Sequence, residues 1–253
     1  MLKTRVIPCL LLQNQGLVKT VRFKNPAYVG DPINAVKIFN EKEVDELIFL
    51  DIQASKENLA PNLGVIRDIA SECFMPFCYG GGIRTVADMM NVFSVGAEKV
   101  SVNSLVLKNP GIIDEAAGIF GSQSIVVSLD VKKNMFGRHK VYDTSKSKTT
   151  DRDVVEYAVE MERRGAGELL VTSVDRDGTM EGYDLELVKK IAHAVSIPVI
   201  ACGGAGRLEH FAEAVKHAGA SAVAAGSMFV FYGKHRAVLI NYPDVKELEK
   251  LFL

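Results

Sequence analysis

The segment GGGIRTVADMMNVFSVGAEKVSVNS, which starts at Gly80, aligns without gaps with GGAGRLEHFAEAVKHAGASAVAAGS, which starts at Gly203, at an offset of 123 residues. Arg84 meets Arg207, Gly96 meets Gly219 and Ser104 meets Ser227. In a chain of 253 residues that offset is close to half the length, and a fixed spacing of this kind indicates two similar halves, roughly 1–120 and 121–253. Shorter matches agree: Glu46-Leu47 meets Glu168-Leu169 at an offset of 122, and Leu11 faces Asp130 at 119. Convergence of glycine-rich strand-to-helix turns on similar sequences is the alternative to duplication.

The units inside each half alternate. Short β-branched or aliphatic runs occur at Val6–Leu11, Glu46–Asp51, Met75–Gly80, Lys99–Asn103, Ser124–Asp130, Glu168–Val174, Ile197–Cys202 and Ala222–Gly226. Helical spacing follows at Pro32–Lys42, Leu63–Glu72, Thr85–Val95, Pro110–Phe120, Arg152–Arg164, Leu185–Ala194, Leu208–His217 and Val245–Leu251. Strands alternating with helices imply right-handed crossovers and a parallel sheet. A doubly wound open sheet satisfies that alternation too, but eight units with no long linker favour one α/β domain over residues 1–253, a closed (β/α)8 barrel.

Composition narrows the function classes. With 48% hydrophobic and 24% charged residues the chain is an ordinary globular protein, not a disordered or disulfide-built one. Cys9, Cys73, Cys78 and Cys202 have no zinc-type spacing, so no metal and no cofactor is expected, and a reducing cytoplasm is the expected location. Thirty basic against 31 acidic residues give no overall attraction to nucleic acid or an anionic membrane, so neither is expected as a partner. The N-terminal apolar stretch is broken by Pro8 and ends by Gln13, too short for a signal core, and no run reaches the length of a membrane span.

In a barrel of this type the site lies where the strands end. Gly80-Gly81-Gly82 with Asn103-Ser104, and Gly203-Gly204 with Gly226-Ser227, put glycines and small polar residues after strands three and four and again after seven and eight. Exposed backbone N–H groups at such turns bind phosphate, and two such sites across one mouth suit a substrate with a phosphate at each end. Tight turns alone would also call for these glycines. Asp51, Asp130, Asp175 and Asp177 fall at or just beyond strand ends, where tuned carboxylates transfer protons. Asp31 and Asp184, each followed by a helix, are expected as helix caps. His139, His193, His210, His217 and His235 show no triad spacing and are assigned to the surface by default. At the opposite end, Arg5, Glu46, Lys99 and Glu168 each start a strand, two of each sign, so they can meet as a neutral ring. A salt-bridge plug and a gate fit that ring equally well.

Taken together, IPCL at 7–10, GDP at 30–32, FLDI at 49–52, YGGGIR at 79–84, EKVSVNS at 98–104, TSVDRDGT at 172–179 and ACGGAGRLEHF at 201–211 resemble the HisF family, the cyclase subunits of imidazole glycerol phosphate synthase. The resemblance covers nearly the whole chain. It implies a duplicated barrel that receives ammonia from a HisH-like glutaminase subunit docked at the barrel bottom and uses it at the top to cleave and cyclise a bis-phosphorylated ribonucleotide. It also implies that Arg5, Glu46, Lys99 and Glu168 form an ammonia gate, that Lys19 with Phe23 lies on a mobile loop covering the substrate, and that Gly81, Gly82, Asn103, Ser104, Gly203, Gly204, Gly226 and Ser227 hold phosphate. Asp130 and Asp177 are the expected catalytic carboxylates.

Two departures alter that expectation. Where the family ends strand one with IPCLD, this chain reads Ile7-Pro8-Cys9-Leu10-Leu11, and leucine cannot carry a proton. Loss of a positioned acid or base costs on the order of 10²–10⁴-fold in rate. Residues 230–243 are also inserted before the last helix, bringing Lys234, His235 and Arg236 within reach of the top face, although a merely decorative insertion is the alternative. Both changes resemble HisF-like paralogues that, with a glutaminase and a separate sugar amidotransferase, serve the synthesis of acetamidino sugars of surface polysaccharides. On that reading the barrel conducts ammonia and no longer cyclises. A histidine-pathway cyclase, with Asp51 or Asp177 replacing the lost carboxylate, is the second reading, and an isomerase of the related phosphoribosyl formimino type the third.

Overall fold

A computed structural model describes residues 4–253. From the N-terminus, β1 (Arg5–Gln13) turns back through a hairpin, β2 (Gly16–Val21) and β3 (Lys24–Gly30), before α1 (Pro32–Glu41) and β4 (Leu47–Asp51). Then come α2 (Leu63–Glu72), β5 (Phe77–Gly80), α3 (Val86–Ser94), β6 (Lys99–Val102), α4 (Ser104–Lys108) and α5 (Ile112–Phe120). β7 (Ile125–Lys133) also turns back through a hairpin, β8 (His139–Asp143) and β9 (Lys148–Asp153), and leads to α6 (Val154–Arg163) and β10 (Glu168–Ser173). The chain finishes with α7 (Leu185–Ala192), β11 (Val199–Cys202), α8 (Leu208–Lys216), β12 (Ala222–Ala225), α9 (Ser227–Val230), a small hairpin β13 (Phe231–Tyr232) and β14 (Ala237–Val238), and α10 (Val245–Phe252).

Eight strands, β1, β4, β5, β6, β7, β10, β11 and β12, pair in parallel in that order. The circle closes where β12 returns to β1, with Arg5 opposite Ala222 and Pro8 opposite Ala225. This is the (β/α)8 barrel that the alternating pattern predicts. Because side chains alternate along a strand, Ile7, Cys9, Ile48, Cys78, Val126, Leu170, Ile200 and Ala224 fill the interior. Their neighbours Leu10, Phe49, Val127, Leu169, Val171 and Val223 point outward into the layer beneath the helices. Each fully buried Leu, Ile or Phe contributes about 1.5–3 kcal/mol by leaving water, so strands with both faces covered read as continuous apolar runs.

Helix starts are set by side chains. Asp31 accepts from Asn34 N with Pro32 following it, and Asp184 accepts from Leu187 N, the cap roles expected for both. Thr85 and Asp88 form a capping box on α3.

Four expectations need correction. β1 and β7 run past the expected ends at Leu11 and Asp130, to Gln13 and Lys133, because each goes on to pair antiparallel with a hairpin strand. Arg152 belongs to β9, and α6 starts at Val154 because Asp153 caps it. Lys19 and Phe23, on a mobile loop by the resemblance, sit on the hydrogen-bonded β2–β3 hairpin, with Lys19 inside a strand. His139 and His210 are buried, contrary to the surface assignment: His139 Nε2 meets Asp184 Oδ2 at 2.9 Å, and His210 lies against Gly206 N and Arg207 Nε. Both histidines lie under loops at the strand ends, so polar partners take the place of water there.

Candidate functional site

The carboxyl ends of the eight strands enclose a cavity. Leu11, Asp51, Asn103 and Asp130 line it, with Lys19 and Asp177 from the β2–β3 hairpin and the turn after β10. The turn residues Gly81, Gly82, Ser104, Gly203, Gly204, Gly226 and Ser227 complete its wall. Asp51, Asp130 and Asp177 thus share one pocket with the phosphate-type residues, whereas Asp175, the fourth strand-end carboxylate, does not line it.

The two glycine turns share one backbone feature but differ on either side of it, since Gly203 (φ +84°) and Gly82 (φ +72°) have positive φ where the aligned Gly80 and Ala205 do not. Gly81 has φ +117° and Gly204, 123 positions later, φ +119°, a region that side chains other than glycine's rarely enter. A Cβ on Gly81 would overlap the Asp51 carbonyl oxygen, and one on Gly204 the Gly182 carbonyl oxygen. The chain comes this close because the loop after each neighbouring strand packs directly on the turn. A Cβ on Gly226 would overlap Lys19 Nζ, so this glycine leaves room for the ammonium. Lys19 is buried, its Nζ donates to the Cys9 carbonyl, and burial lowers its pKa. A buried cation against backbone turns is a place where an anion gains strongly.

The carboxylates differ in their surroundings. Asp130 is buried, and its Oδ2 accepts from Asn103 Nδ2 at 2.7 Å and from Thr144 Oγ1 at 2.8 Å. Burial nevertheless pushes its pKa up to about 7, with the neighbouring Asp177 charge adding to the rise. A carboxyl that titrates near neutrality can both give and take a proton. Asp177 is also raised by burial; its Oδ2 accepts from Thr20 Oγ1 at 2.7 Å and from Phe23 N at 3.1 Å, which fastens the hairpin over the mouth. Asp51 Oδ1 takes the N–H groups of Gln53 and Ala54, both at 2.9 Å, and anchors the loop after β4. Asp175 Oδ2 accepts from Lys133 N at 2.9 Å and ties the end of β7 to the turn after β10. Leu11, in β1, stands beside Leu50 of β4 and Val18 of β2, so an apolar side chain occupies the wall here.

Several contributors had no signal in the sequence. Thr144 follows β8, and no pattern marked a second hairpin there, so its contact with Asp130 was not foreseen. Cys9 and Cys202 face each other in the upper barrel; the Cys202 thiol lowers the pKa of Cys9, while Cys202 itself is raised. Their spacing in sequence carries no motif. Among the described residues no three His, Cys, Asp or Glu side chains gather as a metal site.

At the opposite end the four charged residues meet. Arg5 donates to Glu46 and, across 2.6 Å, to Glu168 Oε1, while Lys99 Nζ lies 3.0 Å from Glu46 Oε1 and 3.1 Å from Glu168 Oε2. Each acid therefore bridges both bases. The ring is neutral and spans the floor beneath the apolar interior formed by Ile7, Ile48, Cys78, Val126, Leu170 and Ile200.

Comparisons with known proteins agree with this architecture. The family described as "Histidine biosynthesis protein" matches residues 5–236. The chain is 53% identical, over 98% of its length and 99% of the relative's, to "Putative imidazole glycerol phosphate synthase subunit hisF2" of Pseudomonas aeruginosa. It is 48% identical over the full length of both chains to "Putative imidazole glycerol phosphate synthase subunit HisF" of Leptospira borgpetersenii. Against "Imidazole glycerol phosphate synthase subunit HisF" of Alkaliphilus metalliredigens it is 44% identical over 90% of this chain and 91% of the relative. Among the described residues no helix is long and apolar enough to cross a membrane. The barrel, the cavity and these relatives together establish that the chain belongs to the histidine biosynthesis protein family, as a HisF-like member.

Proposed function

We propose that the chain is the ammonia-receiving synthase subunit of a glutamine amidotransferase, partnered at the barrel floor by a HisH-like glutaminase. Ammonia enters through the ring of Arg5, Glu46, Lys99 and Glu168, which acts as the gate. Above it the interior offers aliphatic side chains and Cys78, which suit neutral ammonia better than a charged ion. At the mouth a phosphorylated ligand lies between the Gly81–Gly82 and Asn103–Ser104 turns on one side and the Gly203–Gly204 and Gly226–Ser227 turns, with Lys19, on the other.

The observation that carries the choice of acceptor is Leu11. Ring closure needs two proton-transfer groups, and this wall presents Asp130 with leucine where the family has its other carboxylate. Asp51 and Asp177 both spend carboxylate oxygens on loop backbone. Ammonia therefore leaves the barrel for a separate sugar amidotransferase of surface-polysaccharide synthesis, in the cytoplasm. The second reading, a histidine-pathway cyclase working through Asp130 and Asp177, is favoured by the placement of both acids in one cavity. The deciding experiment assays the purified chain with the bis-phosphorylated ribonucleotide and saturating ammonium, beside Leu11→Asp. Silence in the parent with activity gained by Leu11→Asp supports the conduit; turnover by the parent at an ordinary enzymatic rate defeats it.

A further inference from the structure

The inserted segment after β12 is a built element. Leu239 N donates to Val230 O and Asn241 N to Phe229 O, both at 2.9 Å, so the returning strand is zipped onto α9. Tyr242 roots it: the ring packs tilted at 41° with its centroid 5.2 Å from that of Phe229, and the hydroxyl donates to Val6 O at 2.8 Å inside the barrel wall. From this base β13 and β14 project a four-residue tip, Gly233-Lys234-His235-Arg236, closed by Arg236 N donating to Gly233 O at 3.0 Å. Arg236 holds φ +51°, a conformation in which glycine would be free of strain.

The Arg236 side chain is held in place without being neutralised. Its guanidinium lies over the Phe231 ring, 4.6 Å from the centroid, and Nη2 approaches the Gly178 carbonyl at 3.4 Å. Gly178 lines the cavity, so the contact is on the rim. Among the described residues neither Arg236 nor Lys234 has an acidic partner. The hairpin starts just beyond Ser227, after β12, and Arg236 reaches the turn after β10. In the barrel β11 stands between those two strands, so the contact joins loops on either side of the Gly203–Gly204 turn. Guanidinium is the side chain best shaped for phosphoryl oxygens, and most of its N–H groups are free here.

We propose that Arg236 is a ligand-binding residue that closes over the Gly203–Gly204 and Gly226–Ser227 turns and grips the phosphoryl group held there from the solvent side, opposite Lys19. This rests on the reading of those turns as a phosphate site and adds a side-chain donor to it. Lys19 approaches from within the barrel and Arg236 from the rim, so the site suits a ligand whose phosphoryl charge is exposed on both sides.

The test is calorimetric titration of the full chain with inorganic pyrophosphate, beside Arg236→Ala, Arg236→Lys and, as a control for general electrostatics, Lys216→Ala on the exposed end of α8. Arg236→Ala is expected to weaken binding about tenfold or more, Arg236→Lys to recover part of the loss, and Lys216→Ala to match the parent. Far-UV circular dichroism and the Tm of each variant check that the fold is unchanged. If the parent binds and Arg236→Ala binds equally well, or Lys216→Ala weakens binding as much, the inference is overturned while the phosphate reading stands. If the parent does not bind, the phosphate reading falls and takes this inference with it.

Discussion

The Thr144 hydroxyl donates to Asp130 Oδ2 across 2.8 Å, reaching from the loop after β8 to an acid on β7. Together with Asn103 it favours the charged carboxylate, yet burial wins and the pKa rises to about 7. With the folded value above the unfolded one, the folded state holds more protons between roughly pH 4 and pH 7, so this group costs stability as the pH rises through that window. Asp130→Asn removes the cost. The variant should gain on the order of 2 kcal/mol over the parent at pH 8 and much less at pH 4, as read from urea unfolding at both values. An equal difference at the two pH values would show that Asp130 is not raised.

Glu46 is the most enclosed member of the floor ring and bridges Arg5 and Lys99. Glu46→Gln leaves two cations to share Glu168, at a cost of about 3 kcal/mol. Adding Lys99→Met to that variant should restore part of the loss, because the surplus positive charge goes with it. Strict additivity of the two single effects in denaturant unfolding would refute coupling through the ring.

A pair of alanine substitutions separates backbone demand from helix propensity. Gly204→Ala should destabilise by about 2 kcal/mol or more, since φ +119° and the Gly182 carbonyl oxygen both exclude a Cβ. Gly118→Ala, in α5 with open space around it, should stabilise by about 0.5–1 kcal/mol. Thermal unfolding of both variants checks the sign; a destabilised Gly118→Ala would mean that the helix face is occupied.

Asp184 caps α7 and meets His139 at 2.9 Å and Lys133 at 3.5 Å, and these partners hold its carboxyl down to about 2. A depressed carboxyl contributes stability above its unfolded pKa near 4 and loses it as the pH falls toward 2. Asp184→Asn keeps the cap but not the charge, so it should cost about 1 kcal/mol at pH 7 and nothing near pH 2. A cost that persists at pH 2 would assign the effect to capping geometry.

The barrel was legible because each buried strand announces itself by a β-branched or aliphatic run and each helix by its apolar stripe. The glycine turns could be read for the same reason: Gly81 and Gly204 are required by positive φ, and that requirement recurs at the offset that aligns the two segments. The hairpins could not. β3 and β9 are largely solvent-exposed and carry Lys24, Asn25, Lys148 and Asp151, so no hydrophobic alternation distinguishes them from loops. The resemblance implies phosphate binding for Lys19, but its burial against Cys9 and Gly226 depends on β2 folding inward over β1, a tertiary event that no local pattern encodes. The burial of His139 and His210 escapes the sequence for a related reason. Their polar partners lie on loops, and for His139 the partner Asp184 is 45 residues away.

The Tyr242 hydroxyl on the Val6 carbonyl, beside the pairing of Arg5 with Ala222, sets an order of events for a chain leaving the ribosome. At typical elongation rates on the order of ten seconds or more pass between the emergence of Arg5 and that of its partner. Throughout that interval β1 presents a bare sheet edge, open to pairing with other nascent chains. Residues made long after β1 thus act as the clasp of the ring. A nonsense mutation just before Tyr242 would do more than remove α10, because it would also leave β1 without this hold.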